Sequence, residues 1–170
     1  MKSKLQLVIL VILSALMSCE EMSDVKPTSP DDLFYFNSFE SASDTIGWYG
    51  VFTGNFVKDA PRTGGKNSLK ISGGCVIPHA YYTFDPLEED GSFILKCWGK
   101  NLSNGGSLTM QTQEGSGGIH ISVSKSSWKE YTSEDTLHAA AGSNIRLELY
   151  SGGFLSSSML VDEIEIIEAH

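Results

Sequence analysis

Apolar and polar residues alternate with a period of two along most of this chain. The alternation covers LFYFNSFES (33–41), NSLKIS (67–72), SFILKCW (92–98), SLTMQTQ (107–113), GIHISVS (118–124), WKEYTS (128–133), NIRLELYS (144–151) and MLVDEIEII (159–167). A period of two is the signature of half-buried strands, one face on a core and the other in water. Between these runs lie RTGGK, EEDGS, NLSNGG, EGSGG and AAAGSN, clusters of turn-forming residues at the spacing of short antiparallel strands. The pattern predicts an all-β chain, an antiparallel β-sandwich of the jelly-roll kind. The one helix-tolerant stretch, Leu137 to Ala141, is too short to alter that prediction.

The alternation also predicts faces. In 144–151, Ile145, Leu147 and Leu149 turn inward, which sends Arg146, Glu148 and Tyr150 outward. In 107–113, Leu108 and Met110 go in, and Thr109, Gln111 and Gln113 go out. In 118–124, Ile119, Ile121 and Val123 go in, leaving His120 and Ser122 out. Phe93, Leu95 and Cys97 share an inner face, so Trp98 points away from them.

The first residues follow a different pattern. Lys2 and Lys4 precede an apolar run from Leu5 to Met17, shorter than the roughly 20 residues a membrane-spanning helix needs. A basic start and a short apolar centre predict a secretory signal peptide. The run ends in Leu16-Met17-Ser18-Cys19, which resembles a bacterial lipobox. The resemblance implies a lipoprotein signal peptide over residues 1–18 and diacylglyceryl modification of Cys19 as the new terminus. Two acyl chains give stable anchoring where one is marginal. Glu20 and Glu21 resemble the surface-export signal of lipoproteins in some diderm bacteria, which places the protein on the outer membrane, facing outward. Residues 19–32 then form the lipidated Cys and a flexible stalk with two prolines and no apolar period, and the jelly-roll domain spans 33–170.

Composition narrows the function classes. Apolar residues make up 41% and charged residues 19% of 170, a globular balance. A formal net charge of −9 disfavours nucleic acid, whose phosphates that field repels. Of the cysteines beyond Cys19, Cys75 and Cys97 leave two readings open: a disulfide in an oxidising compartment, or Cys97 as a small core residue. No CxxC or HxxxH spacing suggests zinc. His79, His120, His138 and His170 show no triad spacing, no GxSxG is present, and GSGG at 115–118 lacks the Lys-Ser/Thr of a phosphate-binding loop. The expectation is a non-enzymatic protein.

Five motifs in order, NSFES…GWYG, TGGKNSLKIS, SFILKCWGK, SSWKEYTS and MLVDEIEI, resemble the galactose-binding-domain-like jelly rolls that include many bacterial carbohydrate-binding modules. The resemblance spans about Phe34 to Glu168. It implies a glycan, polysaccharide or oligosaccharide, lying along one sheet. Arg146 and Tyr150 would contact it first, then Gln111, Gln113 and His120, with Trp98 last; Tyr81 and Tyr82 are further candidates. Trp48 and Trp128 fit core packing better. An alternative site lies on the loops carrying Trp48, Tyr49 and Tyr82. The resemblance further implies a structural Ca²⁺ bound by Glu40 and Asp162, with backbone carbonyls near Ser38 and around Lys66 and Asn67 completing an oxygen cage. Glu163 stands where the family carries a second aspartate. The rival reading is a structural or protein-interaction lipoprotein, partnered with other surface lipoproteins and lacking a sugar site. The membrane is a partner through the lipid anchor only.

Overall fold

The computed structural model describes residues 32–74, 79–113, 115, 117–153 and 155–170. The leader, Cys19 and the stalk up to residue 31 lie outside these residues, as does Cys75. Among the described residues no helix is long and apolar enough to cross a membrane.

Twelve strands carry the domain: β1 (Leu33–Asn37), β2 (Trp48–Tyr49), β3 (Phe56–Val57), β4 (Ser68–Ser72), β5 (Ala80–Thr83), β6 (Gly91–Ser103), β7 (Gly106–Thr112), β8 (Gly118–Val123), β9 (Lys129–Thr132), β10 (Leu137–Ala139), β11 (Ile145–Tyr150) and β12 (Ser158–Glu168). One sheet of seven strands runs β10-β6-β12-β4-β3, with β1 also on β12 and β9 also on β6. The other, of five, runs β2-β5-β11-β7-β8. Every pairing is antiparallel. The predicted β-sandwich is the observed one.

Between the sheets sit the residues the alternation sends inward. Leu108, Met110, Ile145, Leu147 and Leu149 from the five-stranded sheet are fully buried, facing Phe93, Leu95, Met159, Val161, Ile164 and Ile166 from the other. Each such side chain contributes about 1.5–3 kcal/mol by leaving water, which fixes the register and hence what faces out. Cys97 is a free, buried thiol in this core, and burial pushes its ionisation far up.

Three departures from the predicted pattern have local causes. The first strand stops at Asn37, not Ser41, because the Asn37 amide folds the chain back. Its Oδ1 accepts the Phe39 N–H (3.0 Å) and its Nδ2 donates to the Asp44 carbonyl (2.9 Å). Phe39 then takes φ 52°. β6 runs on to Ser103, and Asn104 and Gly105, both at positive φ (59° and 71°), turn the chain out of the seven-stranded sheet and into β7 of the five-stranded one. The helix-tolerant Leu137–Ala139 is strand β10, since Leu137 and Ala139 are buried against β6.

Candidate functional site

The outer face of the five-stranded sheet is built by register. Tyr81 lies opposite Glu148 and Thr83 opposite Arg146 on one side of β11; Thr109 and Gln111 lie opposite the same two residues on the other. Tyr49 continues the row beyond Tyr81, and His120 continues it beyond Thr109. A second row holds Tyr150, Ser107 and Ser122. All derive from strands whose alternate residues are core, so burial of the inner face aims these side chains.

Three contacts order the face. Tyr49 and Tyr81 stack with centroids 4.8 Å apart at 23°. The Arg146 guanidinium lies 3.8 Å from the centre of the Tyr81 ring, and its Nε sits 2.9 Å from Glu148 Oε1 without the alignment of a hydrogen bond. Tyr150 stacks on His79 at 5.0 Å and 24°. His79 Nδ1 accepts the Ser151 backbone N–H at 3.0 Å, so the neutral ring carries its proton on Nε2. The face thus offers planar rings, a cation, a carboxylate and amides at strand spacing. Rings stack on the CH faces of a pyranose, and the polar groups can pair with its hydroxyls.

Of the predicted ligand residues, the structure brings Arg146, Tyr150, Gln111 and His120 onto this face. Gln113 keeps the same outward parity but lies one residue past β7, exposed, its N–H donating to the Asn144 carbonyl at 3.0 Å. Trp98 must be moved. It projects from β6 in the other sheet, opposite Asp162 and Glu130, because Phe93, Leu95 and Cys97 occupy the inner face there. Trp48 is core, 8% exposed, with Nε1 donating to the Tyr35 hydroxyl at 2.9 Å. Tyr82 packs against the core beside it. Trp128 Nε1 donates to Asp59 Oδ1 at 2.8 Å, and Lys100 binds the other oxygen at 2.8 Å. Lys100, with Trp128, holds the Asp59 carboxyl below its usual range. The pairing of Tyr49 with Tyr81 under Arg146 was not anticipated. The run HAYYTF contains its signal, since Ala80 and Tyr82 turn inward and leave Tyr81 and Thr83 outward.

A second constellation lies where the loop before β4 meets β12. Asp44 Oδ2 accepts the N–H groups of Glu40 (2.6 Å) and Ser41 (2.7 Å), holding the turn that carries Glu40. Glu40 Oε1 in turn accepts the N–H groups of Lys66 and Asn67, each at 2.8 Å. Asp162 is fully buried; Oδ1 accepts the Glu163 N–H at 2.8 Å and Oδ2 has no partner. Burial, reinforced by the charges of Glu163 and Glu40, pushes its carboxyl up to about 7. A Cβ at Gly64 would collide with Asp162 Oδ2, and one at Gly65 with the Glu40 carboxylate, so the loop is wrapped onto both acids. Among the described residues no three His, Cys, Asp or Glu side chains converge as metal ligands. The orphaned, buried oxygen of Asp162 is the kind of atom a hard cation satisfies. Lys66 and Asn67 present their amide N–H groups to Glu40.

No protein-family model matches the chain, and no curated protein matches it. Solved structures do. The CBM22-1 xylan-binding domain of Paenibacillus barcinonensis Xyn10C is similar with a TM-score of 0.54 at 18% identity, covering 81% of this chain and 94% of its own. The C-terminal family 22 carbohydrate-binding module of Clostridium thermocellum Xyn10B gives 0.52 at 11% identity, over 83% and 97%. The likeness establishes the fold, a β-sandwich shared with carbohydrate-binding modules.

Proposed function

We propose that this protein is a non-enzymatic glycan-binding module whose ligand lies across the outer face of the five-stranded sheet. The observation that carries the reading is the ordered set of Tyr49 stacked on Tyr81, Arg146 held over Tyr81, and Tyr150 stacked on His79, with Gln111, Thr109 and His120 in the adjoining rows. Rings preset by their neighbours lose little freedom on binding, which is what sugar stacking needs. Similarity in fold to xylan-binding and other carbohydrate-binding modules supports the ligand class. Glu40 and Asp162 are proposed to hold a structural Ca²⁺, with Asp162 Oδ2 as its innermost ligand and Ser38 and Asn67 lending backbone oxygens. In the same reading Cys19 anchors the protein to the outer membrane with the domain outside the cell.

The test is a glycan array probed with the full chain, followed by calorimetry on a glycan it retains. Arg146→Ala and Tyr150→Ala should each weaken binding by about 1–3 kcal/mol, as loss of a charge-assisted contact or a central aromatic does. No retained glycan, or unchanged affinity in both folded variants, sinks the proposal.

A further inference from the structure

At one end of the sandwich, where β5 leaves its sheet toward β6, a pocket of about 480 Å³ opens beside the glycan face. Its wall is aromatic. Phe34 meets Phe93 at 4.9 Å and Phe84 at 5.2 Å between ring centroids. Phe34 is 38% exposed because the β1–β12 register shifts between Leu33 and Tyr35, leaving it in the bulge. The rim is acidic: Asp85, Glu88, Glu89 and Glu168 line the pocket, and no Lys, Arg or His does. Among the described residues none of these four carboxylates makes an ion pair or side-chain hydrogen bond; the ion pairs present use Asp59, Glu148 and Asp32 instead.

The pocket is preformed. The Phe84 and Leu87 N–H groups donate to the Ile145 and Ser143 carbonyls at 2.9 and 3.0 Å, and the Gly142 N–H donates to the Leu87 carbonyl at 2.8 Å. Asn144 Nδ2 reaches the Phe84 carbonyl at 3.0 Å, and the Ala141 N–H reaches Asp90 Oδ1 at 2.8 Å. Thr83, which lines the pocket, is the register partner of Arg146, so the pocket continues the row that crosses the sheet.

We propose that this pocket binds an amino sugar, a pyranose bearing a protonated primary amine. Uncompensated carboxylates around an aromatic wall select a cation, since carboxylates form charge-assisted hydrogen bonds to an ammonium and ring faces attract it. The volume suits one or two sugar rings. The carboxylates that meet the amine also accept hydrogen bonds from ring hydroxyls, while the CH face lies on Phe34 and Phe84. A neutral or N-acetylated sugar leaves the acidic rim unmatched. The choice of a sugar framework rests on the glycan reading of the adjoining sheet; the selection for a cation does not.

Calorimetry of the full chain with a glucosamine trisaccharide and its fully N-acetylated counterpart, at pH 6 and low salt, tests this. The amine form should bind about tenfold or more tightly than the acetylated form, a gap of roughly 1.4 kcal/mol. E88Q/E89Q, which keeps the size of two exposed side chains, should lose that preference, whereas E134Q, at an exposed carboxylate outside the pocket, should retain it. Absence of binding by the amine form, equal affinity for the two forms, or an unchanged preference in E88Q/E89Q overturns the proposal. If the array finds no glycan for the sheet while the E88Q/E89Q-sensitive preference persists, the pocket stands and the sheet reading falls. If Arg146→Ala abolishes amine binding and E88Q/E89Q does not, the reverse holds.

Discussion

Asp162→Asn should make the metal-free protein far less sensitive to pH. Asp162 is fully buried with one oxygen unpartnered, and its carboxyl is pushed from 3.8 up to about 7, chiefly by burial. A folded-state value above the unfolded one means the native state holds the proton more tightly. The contribution to stability is therefore complete below pH 3.8 and is lost as pH rises through about 7, after which both states are ionised. Each pH unit of separation is worth about 1.4 kcal/mol, so wild type should lose about 4 kcal/mol from this group between pH 4 and 8. Asparagine keeps an oxygen for the Glu163 N–H and carries no charge. Glu165, whose carboxyl is also raised by burial, is present in both proteins and cancels in the difference. Urea denaturation in chelator at pH 4.5 and 8 gives the two profiles. At pH 8, added Ca²⁺ should restore several kcal/mol to wild type and little to the variant, because the cation offsets the buried charge. Parallel pH profiles for the two proteins would refute the electrostatic account, and equal stabilisation of both by Ca²⁺ would remove Asp162 as its ligand.

Trp98→Ala should leave affinity for a sheet-bound glycan unchanged within about 0.5 kcal/mol, because Trp98 projects from the opposite sheet; calorimetry beside Arg146→Ala checks this. Cys19→Ala should shift the protein from the membrane fraction to the soluble fraction and abolish incorporation of labelled fatty acid, since the acyl chains supply the anchoring energy. Retention in membranes would remove the anchor.

The long strands of this sandwich were legible because burial on one side enforces a period of two. Ile145, Leu147 and Leu149 fix β11, and Arg146 and Tyr150 face outward as a consequence. The short strands were not. β2 and β3 have two residues each, below the length at which alternation can register, and their pairing depends on partners distant in sequence. Which sheet a strand joins is equally non-local, and that is why Trp98 could be given a direction but not a face. The most informative miss is in β12. Met159 and Val161 point into the core, and so do Ile164 and Ile166, a change of parity that no regular strand can make. Glu163 makes it, at φ 43°, in a bulge between Asp162 and Glu165. Left-handed backbone at a residue other than glycine is costly and persists where surrounding contacts over-determine it. Here the apolar residues on both sides demand burial, and the irregular step falls at the Asp-Glu pair between them. The bulge that reconciles the two apolar halves thus brings Asp162 to the Gly64–Gly65 loop beside Glu40, linking core packing to the candidate cation site through one residue's backbone.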